Sequence, residues 1–449
     1  MLEKNQFVTA EITDITSDGN GVCKVDGMAV FVPDTAIGDI AEIKIVKVLK
    51  NYAYGIISRI SEPSPDRIKA DCPVYKQCGG CTFRHINYES ECRIKANIVE
   101  NAFRRIGGLN PKFEKFISAD KIHEYRNKAQ YPVTSVNGKA VCGFYAERSH
   151  RVIPVTDCML QPKVFSEILE TVLDYMNSKK ISAYSEETNT GIIRHIYIRK
   201  GTYSDEIMLC FVVRKDVSRQ LTALCRIISE KFPDVKSIVM NINPDKTNII
   251  LGKKCITLYG SDTVSDTMCG NKTEISPLSF YQVNTVQAEK IYRKALEFAA
   301  PTSESIIADL YCGAGTIGLS MARQAKKIIG IEAVPEAVEN ARQNAVYNNI
   351  TNAEFYCGDA GKVFKELGLS PDIIVIDPPR KGCAYETVKT IAESSPKKIV
   401  MISCNPATAA RDAKLFSELG YKTEKVCGAD LFPRTKHVEC VVLLTKSQQ

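Results

Sequence analysis

The sequence predicts a multidomain α/β protein, with a small N-terminal β-barrel, a central α+β region and a C-terminal open α/β sheet. Three observations carry that reading. Short alternating apolar and polar runs fill residues 1–62. A cysteine cluster with mixed helical and strand-like segments fills residues 63–270. Over residues 271–449, apolar β runs alternate regularly with helical stretches. A chain of 449 residues also exceeds what one hydrophobic core serves.

In the first region, turn signals at Asp18-Gly19-Asn20-Gly21 and Asp26-Gly27 separate strand-sized segments such as Ala29 to Val32, Ala41 to Val46 and Tyr54 to Ile57. About five such strands suit an OB-like module. Pro63 to Asp66 reads as a linker. The middle region offers a helix near Glu89 to Ile106, strands at Ile192 to Arg199, Glu206 to Val213 and Ser237 to Ile242, and a helix over Val217 to Lys231. The last region has strands at Ile306 to Leu310, Lys327 to Ile331, Ala353 to Tyr356, Ile373 to Ile376, Lys398 to Ile402, Thr423 to Val426 and Cys440 to Leu444. That pattern is expected of a parallel sheet covered on both faces, whose ligands sit past the carboxyl ends of the strands.

Composition narrows the function classes. Hydrophobic and charged fractions of 44% and 25% are ordinary, and no apolar run approaches the roughly 20 residues of a membrane span, which excludes a membrane protein. Met1 to Asp14 carries Glu3, Lys4, Glu11 and Asp14 and does not look like a secretory signal, so a cytoplasmic location is expected. The 17 cysteines should then stay reduced, apart from any that hold metal or act in catalysis. A formal charge of +7 favours a polyanionic partner.

Candidate site residues fall at the strand ends. After the first strand, Asp309-Leu310-Tyr311-Cys312-Gly313-Ala314-Gly315 leads to a helix expected near Gly318, and Gly313 would let the backbone approach a ligand closely. Glu332, ending the second strand, could accept hydrogen bonds from both ribose hydroxyls of an adenosyl group, and Asp359 follows the third strand at the adenine end. A lone glycine turn often serves packing alone, but with Glu332 and Asp359 at successive strand ends it reads as a nucleotide-type site, for which NAD is the rival cofactor. The fourth strand ends in Asp377-Pro378-Pro379-Arg380, where amino-group methyltransferases carry an aromatic residue in place of Arg380. The fifth ends in Ser403-Cys404-Asn405-Pro406. Asn405 suits an N-cap and Pro406 a first helical position, so Cys404 should lie at a helix N-terminus that favours its thiolate. Glu439, in His437-Val438-Glu439, reads on its own as a solvated charge at a strand end.

With those motifs in this order, the chain resembles the RNA (uracil-5-)-methyltransferases over nearly its whole length. The resemblance implies a Rossmann-like class I methyltransferase domain that uses S-adenosyl-L-methionine. It assigns Cys404 as the nucleophile that adds to carbon 6 of uracil, and Glu439 as the base that removes the carbon 5 proton, with His437 a weaker alternative. Ser279-Phe280-Tyr281-Gln282-Val283-Asn284 is similar to the family's aromatic-Gln-x-Asn segment, which implies that Gln282 holds the methyl donor together with Tyr311, Glu332 and Asp377. Thr316 departs from members that carry Asn there. The barrel is similar to a TRAM domain. Cys72, Cys78, Cys81 and Cys158 resemble the family's four-cysteine iron–sulfur pattern, which implies a [4Fe–4S] cluster, with zinc as the alternative.

The barrel and the cysteines resemble the branch acting on 23S ribosomal RNA, so that RNA is the expected partner, with no membrane and no obligate protein partner. Transfer RNA is the nearest alternative target. A non-catalytic RNA-binding or iron–sulfur assembly factor is the reading from another class, against which the intact Cys404 and Glu439 argue. The target base must lie outside a paired helix, where Phe280 or Tyr281 could stack near it. Arg104, Arg105, Arg126, Lys128, Arg148, Arg151, Arg199 and Lys200 are the candidate phosphate contacts.

Overall fold

The computed structural model describes residues 2–447, which form sheets of six, seven and eight strands and a two-stranded hairpin. The six-stranded sheet is the barrel, with strands Phe7–Glu11, Asp14–Ile15, Gly21–Val25, Met28–Val32, Ile40–Val48 and Tyr52–Glu62. Strict alternation builds it: Ala41, Ile43 and Ile45 turn inward while Glu42 and Lys44 turn out. About five strands were expected; the sixth, Asp14–Ile15, is too short to show any alternation. Phe83, Ile86 and Ile94, from beyond the barrel, complete its core.

The expected linker is a stitched corner. Ser64 is buried and donates its N–H to Asp39 Oδ1 at 3.0 Å, and the same carboxylate takes the Arg67 guanidinium at 2.8 Å. These contacts hold the Asp39 carboxyl below its usual range despite burial.

The seven-stranded sheet belongs to the central region. Its strands Ile193–Lys200, Ile207–Val213 and Val235–Ile242 lie where the sequence pattern put them, under the apolar stripes of helices Lys163–Ser178 and Ser218–Lys231. Strand Lys128–Val136 escaped the pattern because Pro132 sits inside it, and strand Lys254–Gly260 because it is an exposed edge. A hairpin of Val264–Met268 and Asn271–Ile275 leads onward.

The C-terminal sheet has seven strands: β1 (Ile306–Leu310), β2 (Lys327–Glu332), β3 (Ala353–Cys357), β4 (Ile373–Ile376), β5 (Lys398–Ser403), β6 (Tyr421–Ala429) and β7 (Glu439–Lys446). Their order is β3-β2-β1-β4-β5-β7-β6, with Lys112–Phe113 added at the β6 edge. Strands β1 to β5 run parallel, but β7 inserts antiparallel to both β5 and β6. An all-parallel sheet was expected; a doubly covered strand is apolar throughout in either direction, so its sequence does not report its polarity.

Helices α1 (Thr285–Ala299), α2 (Thr316–Met321), α3 (Pro335–Tyr347), α4 (Ala360–Glu366), α5 (Tyr385–Glu393) and α6 (Pro406–Glu418) alternate with the strands. Ile291 and Phe298 of α1 pack on one face of the sheet, and Phe364, Val388 and Phe416 on the other. The second face also receives Val99 and Phe103, from a helix over Tyr88–Asn101 that continues as a π-helix over Ala102–Gly107. Among the described residues, no helix is long and apolar enough to cross a membrane.

Candidate active site

The carboxyl ends of β1 and β2 form the first half of the site. Tyr311, Gly313 and Gly315 follow β1 with φ of +63°, +55° and +78°. Gly315 has a second constraint, since a Cβ there would lie 3.0 Å from the Phe355 ring. It caps α2, which starts at Thr316 rather than near Gly318. Glu332, at the end of β2, fastens this turn: one carboxylate oxygen accepts the Gly313 N–H at 3.1 Å and the other the Val334 N–H at 2.9 Å. Each oxygen keeps a lone pair for a further donor. Asp309, fully buried, accepts the Gly318 N–H at 2.8 Å, and burial pushes its carboxyl up to about 7.

Gln282 Nε2 reaches the Tyr292 hydroxyl at 3.4 Å, and Tyr292 in turn faces Asp377. The segment bearing Gln282 is pinned by Asn127 Nδ2 donating to the Gln282 carbonyl at 2.9 Å and by the Arg199 guanidinium on the Ser279 carbonyl at 3.1 Å. Half-buried Tyr311 sits beside Cys383 and Thr387. Asp359 is exposed and caps α4, accepting the Lys362 N–H at 3.1 Å, which is a local role for a residue read as an adenine contact.

The ends of β4, β5 and β7 form the second half. Desolvation lifts the Asp377 carboxyl to about 7. Asn405 caps α6 by accepting the Ala407 N–H at 3.1 Å, and Pro406 takes the first helical position, as the sequence predicts. The Ser403–Cys440 pairing in the β5/β7 ladder sets Glu439 beside Cys404. Glu439 is buried, and its carboxyl is pushed up to about 8 by desolvation and by Asp377, with Arg380 opposing.

The Cys404 thiol is also raised, by burial and by Glu439 and Asp377, while the Arg380 guanidinium hydrogen-bonds the sulfur and lowers it. The thiolate bias expected from the helix N-terminus therefore does not prevail, because two carboxyl groups and burial outweigh it. His437 is pushed down to about 4 by burial and by Arg380, so it is neutral at pH 7.

Arg380, Tyr292 and Asp309 are site residues that the sequence reading did not single out. Arg380 had a signal, since it stands where a stacking aromatic would otherwise be. Tyr292 and Asp309 look like core positions of a helix and a strand.

The segment before β7 is held by a buried ion network. Lys95 Nζ lies 2.8 Å from Glu91 Oε1 and 2.8 Å from Asp430 Oδ1, with all three side chains fully buried. Tyr88 donates to Asp430 Oδ2 at 2.9 Å, and Thr82 and Phe83 donate their N–H groups to the Arg434 carbonyl at 2.8 and 3.0 Å. Thr82 directly follows Cys81. Cys72, Cys78, Cys81 and Cys158 line one cavity together with Arg84 and Arg126. Arg84 Nε donates to Cys81 Sγ and the Gly80 N–H to Cys78 Sγ, each at 3.4 Å. Among the described residues, no three His, Cys, Asp or Glu side chains are grouped to hold a single metal ion.

Several expected RNA contacts have other partners. Arg199 is 1% exposed and bonded to main-chain carbonyls, Arg126 lies over the Tyr125 and Phe432 rings, Lys200 pairs with Asp205, and Arg104 with Glu100. Arg105, Arg148 and Arg151 remain exposed, and half-buried Lys128 is pushed down to about 8 by burial and by Arg199. Tyr281 is buried and donates to Asp266 Oδ2 at 2.9 Å, so it does not stack, whereas Phe280 is 71% exposed.

Comparison with known proteins agrees with this geometry. The sequence model of the tRNA (Uracil-5-)-methyltransferase family matches residues 87–447, and that of the TRAM domain matches residues 2–57. A protein of Bacillus cereus, named as an uncharacterized RNA methyltransferase, is 44% identical over 453 residues, covering 100% of this chain and 98% of its own length. One of Staphylococcus aureus with the same description is 40% identical over 447 residues, covering 98% of each. The crystal structure of Pyrococcus abyssi tRNA (uracil-54, C5)-methyltransferase, in complex with S-adenosyl-L-homocysteine, superposes with a TM-score of 0.77 at 27% identity, over 97% of this chain and 99% of that one. Match, relatives and fold together make this chain a member of the tRNA (uracil-5-)-methyltransferase family, an S-adenosyl-L-methionine-dependent RNA methyltransferase with a TRAM domain at its front.

Proposed function

We propose that this chain methylates carbon 5 of uridine in 23S ribosomal RNA through a covalent adduct of Cys404, acting in the cytoplasm. The observation that carries the reading is the meeting of Cys404, Glu439, Asp377 and Arg380 at one sheet edge, beside the Gly313 turn. The Cys404 sulfur adds to carbon 6 of the flipped uracil, and the electron pair of the carbon 5–carbon 6 bond moves toward the carbonyl, making carbon 5 nucleophilic. Carbon 5 takes the methyl group and S-adenosyl-L-homocysteine leaves. Glu439 then removes the carbon 5 proton, carbon 5 and carbon 6 regain their double bond, and the Cys404 sulfur departs.

The raised Cys404 thiol gives its proton to solvent before attack, and the Arg380 guanidinium against the sulfur stabilises the thiolate so formed. Gln282, Tyr311, Gly313, Glu332 and Asp377 hold the methyl donor, with Asp359 at its adenine end. We assign residues 1–62 to the RNA-binding barrel, 63–270 to the central domain and 271–449 to methyl transfer.

Cys72, Cys78, Cys81 and Cys158 fit a [4Fe–4S] cluster better than zinc. They line a common cavity with Arg84 and Arg126, and three closely spaced cysteines with one distant partner suit a [4Fe–4S] site rather than a paired Cys-x-x-Cys zinc ribbon. Such a cluster would supply structural cross-linking of the central domain, with no redox work in methyl transfer.

A transfer-RNA target is the second reading, favoured by the near full-length likeness to the Pyrococcus abyssi enzyme. Incubation with labelled S-adenosyl-L-methionine and separated ribosomal and transfer RNAs decides between them. Label in 23S RNA is expected; label in transfer RNA alone moves the target, and label in neither sinks the enzyme reading. RNA carrying 5-fluorouridine should become covalently trapped on Cys404, and turnover without trapping would overturn the mechanism.

A further inference from the structure

We infer that Lys95 is a positioning residue for removal of the carbon 5 proton: it fixes the β6–β7 connection, residues 430–438, and through it the carboxyl of Glu439. The inference rests on the proposed methyl transfer and adds a device that reaches the base from a helix preceding the whole central sheet.

Glu439 opens β7 and pairs with Ala429, the last residue of β6. The chain between them lies outside the ladder, so where the base points depends on how the connection is held. Connections ordinarily run over the surface, because buried main chain must find partners. This one runs inside: Asp430, Leu431, Pro433, Arg434, Thr435 and Val438 are buried. Four successive carbonyls are answered from elsewhere in the chain. Asn284 Nδ2 donates to Leu431 at 3.0 Å, Lys95 Nζ to Phe432 at 3.2 Å, the Tyr125 hydroxyl to Pro433 at 2.9 Å, and the Thr82 and Phe83 N–H groups to Arg434 at 2.8 and 3.0 Å. Arg434 has a φ of +70°, left-handed backbone that a side-chain-bearing residue keeps only where its surroundings over-determine it.

Lys95 stands at the centre of these ties. Its ammonium has three protons and three acceptors: Glu91 Oε1 at 2.8 Å, Asp430 Oδ1 at 2.8 Å and the Phe432 carbonyl at 3.2 Å. Two of the three belong to the connection. Glu91 extends the hold by accepting the Arg434 N–H at 2.7 Å. Phe432 carries it forward, its ring edge-on to His437 with centroids 6.0 Å apart, two residues before Glu439.

Stability alone does not account for such a network, since apolar side chains of similar volume would hold the helix on the sheet as well. What fixed donors and acceptors add is a single register. At a base that must meet one proton, a shift of about 1 Å costs roughly 10²-fold in rate.

The test uses the full-length protein with transcripts of 23S ribosomal RNA and of transfer RNA, each made with uridine or with 5-fluorouridine. Fluorine at carbon 5 cannot be taken off as the proton is, so trapping on Cys404 proceeds without the base, whereas turnover on uridine needs it. Lys95→Met combined with Asp430→Asn removes one buried charge of each sign, and Tyr125→Phe removes only a hydroxyl. The combined variant should lower turnover roughly 10²-fold, and Tyr125→Phe should lower it by less. In both, the Cys404 adduct on uridine RNA should accumulate while the rate of trapping by 5-fluorouridine RNA stays unchanged. Amide exchange at residues 437–439 should quicken, with the protection of β1 to β4 unaltered.

Turnover and trapping that fall together would overturn the positioning role and leave a merely structural network, as would exchange that quickens throughout the sheet. Unchanged turnover would overturn it outright. Should the unaltered protein neither transfer methyl nor become trapped, the enzyme reading fails, and exchange alone judges the connection: local quickening keeps Lys95 as the residue that holds it, and its absence removes that role.

Discussion

The active-site edge and the four-cysteine cavity collect opposite charge. At the first, Asp309, Asp377 and Glu439 crowd together with carboxyls lifted to about 7, 7 and 8, and Arg380 is the cation beside Cys404. At the second, four thiols share a cavity with Arg84 and Arg126. Folding alone does not favour the first arrangement, because buried like charges cost stability. It becomes reasonable as the counter-charge of the sulfonium and ammonium of S-adenosyl-L-methionine, whereas at the cysteine cavity Arg84 is already answered by Asp71. The fixed charge that lines a site describes what it is built to hold.

The largest test of this contrast separates the cysteines by role. Cys404→Ala should bring methyl transfer to background and abolish trapping by 5-fluorouridine RNA, measured by a shift on denaturing gels, while bound iron stays unchanged. Cys81→Ala should do the reverse for iron and acid-labile sulfide in anaerobically purified protein, and should lower the thermal midpoint. If both variants lose the same property, the two sites are not distinct.

Glu439→Gln comes next: turnover should fall roughly 10²–10⁴-fold, the usual weight of a general base, with the Cys404–RNA adduct accumulating. The wild-type rate should rise as pH passes through about 8, where Glu439 loses its proton. Stability has the opposite sign. The folded carboxyl titrates above its unfolded value of 4.5, so the folded state holds more protons between those limits. Stability is then full below about 4.5 and falls as pH rises toward 8. Glu439→Gln should flatten that decline in denaturant titrations.

Asp377→Asn is expected to have a smaller effect. It should weaken S-adenosyl-L-methionine about tenfold by removing one close opposite charge, and the uncharged-sulfur product S-adenosyl-L-homocysteine by less. Equal weakening of both, by calorimetry, would mean that charge is not what Asp377 contributes.

Much of this was legible in the sequence, for identifiable reasons. β1 and β4 match their expected bounds because each is an unbroken apolar run closed by a motif. Asn405 and Pro406 announced α6 through capping chemistry that is local in the chain. Local signals failed where the partner lies far away. Nothing near Cys404 tells that Glu439 and Asp377 will raise its thiol, and nothing near Arg199 tells that the Ser276 and Ser279 carbonyls will take up its guanidinium. The polarity of β7 was hidden for a related reason, because apolar residues on both faces leave no directional mark.

The helix over Tyr88–Asn101 and the strand Lys112–Phe113 precede the whole central sheet, yet they finish the C-terminal one. The chain is braided, and its last portion cannot be lifted out as a cassette. A fragment starting at residue 271 would bare the β6 edge and the apolar bed under Val99 and Phe103, an invitation to self-association. Recombination between relatives would have to carry both strands of the braid across together, so the catalytic half and the stretch after the barrel are bound to be inherited as one.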